Sequence, residues 1–165
     1  MQFGSAIKNR VSRASHSKTD EVFRSLVGEW TLRRTMSGVG EMNGSAWFTW
    51  LDEETLQYRE EGELRLFSGS SHLAYRELFY SLDTNRIVVR LRLGSDPQHL
   101  LFQLALEPSG PTPWPASSSA IHICGQDTYE GGYVFETRHQ FRTTVKVNGP
   151  SKNYTIASCF TRALD

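Results

Sequence analysis

From Gly28 to the C-terminus nearly every segment of this chain alternates apolar with polar residues, and turn residues interrupt the pattern about every ten positions. A period of two suits a half-buried strand, whose successive side chains point to opposite faces of a sheet, and does not suit a helix, whose faces repeat every 3.6 residues. The chain is therefore expected to be all-β. Its strands read as Glu29–Met36, Gly44–Trp50, Thr55–Leu66, His72–Leu82, Arg86–Leu93, His99–Leu106, Ala120–Cys124, Tyr133–Val147 and Asn153–Arg162. Asp83-Thr84-Asn85, Gly94-Ser95-Asp96-Pro97 and Asn148-Gly149-Pro150-Ser151 supply the Asn and Gly that tolerate positive φ in turns. One helix precedes the strands, over Ser17–Val27: Ser17 and Thr19 can cap it, Asp20 and Glu21 suit its positive end, and Gly28 stops it.

Consecutive hairpins make an up-and-down antiparallel meander the simplest topology. Such a sheet removes its exposed edges by closing into a barrel, and a barrel of about 8–10 strands has room for one small ligand. The segment Glu107–Ser119, with Pro108, Pro111, Pro113 and Pro115, is expected to be a loop flanking the barrel mouth, with Trp114 either capping that mouth or anchoring on the wall. The 165 residues suit one domain, 17–165, behind a flexible basic arm over 1–16 that weakly resembles a transit peptide. No apolar signal-peptide core is present, so a cytoplasmic protein with unglycosylated Asn43 and Asn153 is expected.

Lys plus Arg equals Asp plus Glu at 18 each, so no net field exists to hold nucleic acid or an acidic membrane, and neither is an expected partner. Cys124 and Cys159 lack zinc-site spacing and are expected to be reduced and buried. With no glycine-rich phosphate loop, dinucleotide fingerprint or metal-ligand cluster, no cofactor and no metal are expected. The expected partner is a hydrophobic small molecule, bound by a monomer or a homodimer.

The candidate chemistry lies on strand faces. His122 and Cys124 share one face of their strand, and Asp127 and Tyr129 follow a turn at Gly125. Asp127 could orient the His122 imidazole while Tyr129 donates to an oxyanion or enolate, which suits isomerisation or cyclisation; alternatively His122 and Asp127 pair with each other and cap a strand end. Tyr58, Glu60 and Gly62 share another face. If that face looks inward, Glu60 needs a basic or hydroxyl partner, with Arg34, Arg76, Arg90 and Arg92 the available arginines, and it is the alternative to His122, Asp127 and Tyr129 for moving a proton. Arg90 and Arg92 share one strand face and would hold an anionic headgroup if it lines the cavity, or serve solubility if it faces water. Tyr58, Phe102, Trp50 and His139 complete the candidate ligand wall, and Lys152 is either a turn lysine or an anion contact.

Gly28-Glu29-Trp30, directly after the short helix, resembles the G-x-W opening of the calycin barrels, the lipocalins and fatty-acid-binding proteins. In those, a basic residue of the last strand packs across the Trp, which implies a Trp30–Arg162 clasp here. Over almost the whole chain from Gly28, Tyr58-x-Glu60-x-Gly62, His122-x-Cys124-x-x-Asp127-x-Tyr129 and Gly149-Pro150-x-Lys152-x-Tyr154 resemble an uncharacterised family of short bacterial and fungal proteins. That likeness implies a calycin-like barrel and, by analogy with fungal members beside biosynthetic enzymes, a tailoring role in secondary metabolism. The expected function is a cofactor-independent isomerase or cyclase acting on a hydrophobic biosynthetic intermediate. The alternatives are a carrier that only sequesters its ligand, and an accessory subunit with a filled interior.

Overall fold

The computed structural model describes residues 16–93 and 96–162, so most of the arm expected over 1–16 lies outside the described residues. One helix, α1 (Lys18–Ser25), is followed in chain order by β1 (Gly28–Met36), β2 (Gly40–Trp50), β3 (Thr55–Leu66), β4 (Ser71–Asp83), β5 (Arg86–Leu93) and β6 (Asp96–Leu104). Then come β7 (Glu107–Pro108), β8 (Ala116–Cys124), β9 (Asp127–Thr137), β10 (Gln140–Asn148) and β11 (Asn153–Thr161). All belong to one antiparallel sheet in the order β6-β5-β4-β3-β2-β1-β11-β10-β9-β8-β7, a meander whose first and last strands meet. The sheet rolls into a barrel. Its edges meet through side chains: the His99 ring of β6 stands edge-on to His122 of β8 at 5.5 Å, and Phe102 of β6 packs on Gly131 of β9.

Several strand ends differ from those expected, with β2, β6, β8 and β9 beginning at Gly40, Asp96, Ala116 and Asp127, and two segments differ in kind. Tyr133–Val147 is not one strand: β9 and β10 are joined by a turn at Arg138-His139, where the Thr137 hydroxyl accepts from the His139 amide at 3.1 Å. A register shift beside that turn brings Phe135 opposite Phe141, both inward, so the alternation runs through the turn and hides it. The proline-rich segment is also not wholly loop. β7 pairs Glu107 and Pro108 with the start of β8, and Pro108 is tolerated because β7 is an edge strand. This segment lies beside α1, with Lys18 Nζ donating to the Gly110 carbonyl at 2.8 Å, and Trp114 packs partly buried against the core beside Arg138.

The helix forms where expected, the Ser17 hydroxyl accepting from the Asp20 amide at 3.1 Å. Its Val22, Phe23 and Leu26 enter the same core as Trp30, Phe48 and Leu56, so α1 plugs one end of the barrel. The expected clasp is present. The Arg162 guanidinium lies 4.2 Å from the Trp30 ring centroid and donates to the carbonyls of Ser25 and Val27, while the Trp30 indole donates to Leu26 at 2.8 Å. Strand, helix and chain end are thereby tied together. Between the neighbouring strands, Gly44 of β2 is paired with Gly62 of β3, and a Cβ on either would land on the backbone of the other strand. This contact lets the sheet coil tightly enough to roll up.

Replacing Arg162 by Met keeps the side-chain stem and removes the cation and its carbonyl bonds. The variant should lose about 2 kcal/mol, seen as a fall in Tm of roughly 4–8 °C in calorimetry. An unchanged Tm would contradict the clasp.

Candidate functional site

Along β1, β3 and β4 the inward positions are apolar near the plugged end and polar halfway up: Trp30, Leu32, then Arg34; Leu56, Tyr58, then Glu60; Tyr80, Leu78, then Arg76. These polar groups converge. Arg34 grips Glu60 with both terminal nitrogens, Nη1 to Oε1 at 2.5 Å and Nη2 to Oε2 at 2.7 Å, and its Nε donates to the Ser158 hydroxyl at 2.8 Å. The Tyr58 hydroxyl donates to Glu60 through a short hydrogen bond, and Arg76 reaches the same Oε2 more loosely at 3.3 Å. Of the four arginines considered as partners for Glu60, Arg34 and Arg76 reach it, and its strand neighbour Tyr58 supplies the hydroxyl.

Burial disfavours the Glu60 carboxylate, but the Arg34 bonds and the Arg76 charge outweigh it and bring its pKa down to about 2. Burial and then the charge of Glu60 push the Tyr58 hydroxyl well above its ordinary range, and burial does the same to Tyr80 and Tyr133. At neutral pH the cluster therefore holds one carboxylate, two guanidiniums and three neutral phenols.

Above this floor lies a cavity of about 300 Å³, opening at the end away from α1. Leu78, Leu91, Phe102, Val145, Ile156 and Phe160 supply apolar wall, and His99, His122, Cys124 and Tyr129 stand at the mouth. Burial, with a contribution from His99, lowers the pKa of His122, which keeps its imidazole neutral at pH 7. Just outside the cavity Lys152 bonds Asp127 at 2.6 Å and the Tyr129 hydroxyl at 3.1 Å, and these bonds raise its pKa. The Asp127 carboxylate lies against Gly149, where a Cβ would strike it. It joins the β8–β9 hairpin to the β10–β11 hairpin and frames the mouth.

Of the residues expected to do chemistry or bind ligand, Tyr58, Phe102, His122 and Tyr129 line the cavity. Glu60 lies beneath it, held by Arg34, and Asp127 beside it, held by Lys152 rather than orienting His122. Arg90 and Arg92 lie elsewhere. Val89 and Leu91 take the inward positions of β5, so Arg90 bonds Ser81 at 2.8 Å and Arg92 covers the outer face of Phe79 beside Glu77. Trp50 packs at the plugged end, edge-on to Phe23, and His139 sits in the β9–β10 turn. Neither cysteine is buried as expected: Cys124 is exposed where β8 ends, and Cys159 is partly exposed because Ser158 and Phe160 take the inward positions of β11. Arg76 was expected only as a candidate partner of Glu60, and Tyr80, Tyr133 and His99 were not expected as cavity groups. Their positions follow from alternation along each strand: 76, 78 and 80 share a face, as do 129, 131 and 133.

A model of a family described only as a family of unknown function, DUF6314, matches residues 26–162. The chain belongs to this family. A search of curated proteins found no match. Among solved structures, the S-type phycobiliprotein lyase of Guillardia theta is similar with a TM-score of 0.54 and 12% identity, over 88% of this chain and 93% of that one. A redesigned β-barrel bound to DFHBI is similar at a TM-score of 0.44 and 13% identity, over 90% of this chain and 100% of that one. The likeness to the lyase supports the barrel fold. Among the described residues no helix is long and apolar enough to cross a membrane, and no His, Cys, Asp or Glu cluster could hold a metal ion.

The low pKa of Glu60 has a definite sign in stability. The unfolded carboxyl binds its proton near 4.5 and the folded one near 2, so its contribution is complete above about pH 4.5 and lost as pH falls towards 2. It amounts to about 3 kcal/mol. Glu60→Gln should flatten the acid limb of a stability–pH curve and destabilise the protein at pH 7 by about 3–5 kcal/mol, because Arg34 is left buried without its counter-charge. A variant with wild-type stability at pH 7 would contradict this role.

Proposed function

We propose that this protein binds a mostly apolar small molecule inside the barrel, between the Arg34–Glu60 floor and the His99–His122 mouth. The observation that carries the reading is the division of the interior. Below Glu60 the barrel is packed with Trp30, Phe48, Leu56 and Phe141, whereas above it a largely apolar wall surrounds a cavity of about 300 Å³ that opens at the mouth. A scaffold without a ligand would gain by filling that space, since unfilled apolar volume forfeits packing energy. The tyrosine and arginine side chains at the floor supply the few oriented polar groups typical of small-molecule sites.

The test is a fluorescence titration of the full chain with the neutral dye N-phenyl-1-naphthylamine. One saturable site per chain is expected. Ile156→Trp, which fills the cavity, should weaken binding at least tenfold while thermal unfolding stays cooperative. Equal binding by this variant would place the dye elsewhere and overturn the reading.

A second reading, an isomerase or cyclase for a hydrophobic biosynthetic intermediate, is favoured by one observation: a neutral His122 imidazole beside Tyr129 on the cavity wall. In that reading His122 takes the proton and Tyr129 donates to the developing oxyanion. With a substrate in hand, His122→Gln should lower kcat by about 10²–10⁴ while leaving ligand affinity within a few fold. An unchanged kcat would leave the carrier role.

A further inference from the structure

The cavity floor is not electrically balanced. Arg34 and Glu60 satisfy each other through two parallel bonds, and the third donor of Arg34 is taken by Ser158. Arg76 is placed differently. Its one hydrogen bond among the described residues is the 3.3 Å contact from Nη2 to Glu60 Oε2, an oxygen that already accepts from Arg34 and Tyr58. No other carboxylate lines the cavity among the described residues. One guanidinium on the cavity wall thus shares its only counter-charge with Arg34.

The surroundings of Arg76 are those of a cavity group. Its side chain keeps 43% of its surface accessible although it lies on the inward face of β4, two positions from the buried Leu78. Burial is the strongest pull on its pKa, downward, and the charge of Glu60 with the neighbouring tyrosines overcomes it and raises the pKa. Arg76 is also one of the residues that line the cavity, on the same inward face of β4 as Leu78 and Tyr80. Tyr58, Tyr80 and Tyr133 flank it, all neutral at pH 7 and all lining the same cavity. A guanidinium in such a place is energetically costly when empty and selects a planar anion able to accept two parallel N–H bonds.

We infer that Arg76 is the anchor for a carboxylate, so that the ligand is an organic acid whose apolar body extends from the Tyr80–Tyr133 end of the floor towards His99 and His122. This rests on the proposal that the cavity binds a small molecule, and it adds the charge and direction of what is bound. Arg34 takes no part, because its donors are engaged by Glu60 and Ser158. The acid arrives ionised and leaves ionised; no bond is made or broken.

The test compares 1-naphthaleneacetate with its neutral counterpart 2-(1-naphthyl)ethanol, titrated into the full chain at pH 7 by calorimetry. The wild type should bind the acid at least tenfold more tightly than the alcohol. Arg76→Met should bring the acid to within about threefold of the alcohol measured on the same variant, and Arg76→Lys should restore part of the preference. Equal affinity for acid and alcohol in the wild type needs no variant to interpret and would overturn the anchor while leaving the cavity reading in place. A preference that survives in Arg76→Met would also overturn it. Failure of both compounds to bind up to millimolar concentration would overturn the anchor and the cavity reading together.

Discussion

A carboxylate inside a β-barrel is tolerable only if something positive meets it there, and the Arg34–Glu60 pair is the constraint around which this interior is arranged. Removing an ionised Glu from water costs several kcal/mol, which the attraction of a guanidinium offsets only when geometry is good and the remaining polar atoms are satisfied. Here two parallel bonds, the Tyr58 hydroxyl and Ser158 provide that. The network joins β11, β1, β3 and β4 through the middle of the barrel rather than through the ladder. It also sets a boundary, with closely packed aromatic core beneath it and cavity above it. The Phe141 and Phe160 rings, stacked 4.2 Å apart, and the Trp30–Phe141 edge contact show how tightly the lower half is filled.

The Trp30–Arg162 clasp and the α1 plug make the lower end permanent. The upper end is held differently, by hairpin loops that the Asp127–Lys152 pair joins. One ion pair between half-exposed groups is a weaker tie than a buried aromatic cluster, so the upper end is the end at which a ligand can enter. The three motifs noted in the sequence fall into the two polar layers of the cavity. Tyr58-x-Glu60-x-Gly62 builds the floor and the tight coil beside it, while His122 to Tyr129 and Gly149 to Tyr154 build the mouth.

Much of this was legible in the sequence because a strand commits every second residue to one face. The all-β class followed from that alternation, the capped helix from its end residues, the need of Glu60 for a basic or hydroxyl partner from the cost of burying charge, and the clasp from the resemblance of Gly28-Glu29-Trp30 to the calycin opening. The site was read less well, for three physical reasons. In β4 and β5 the runs Leu78-Phe79-Tyr80 and Ile87-Val88-Val89 are buried on both faces, so alternation did not say which way Arg90 and Arg92 point. Pairing between distant hairpins, as of Asp127 with Lys152, leaves no local trace, and His122 was instead matched with the nearest acid in the chain. The bulge beside the β9–β10 turn preserved the alternation through a reversal of direction, which placed His139 on a strand face when it belongs to a turn.

The central claim is that the upper half of the barrel holds an open apolar cavity closed below by the Arg34–Glu60 pair. Xenon tests it without knowledge of the natural ligand, because the atom collects in apolar voids and scatters anomalously. Crystals of the full chain pressurised with xenon should show an anomalous peak inside the barrel, between Leu78, Leu91, Val145 and Ile156 and above Glu60. A filled interior with xenon only on the outer surface would contradict the account.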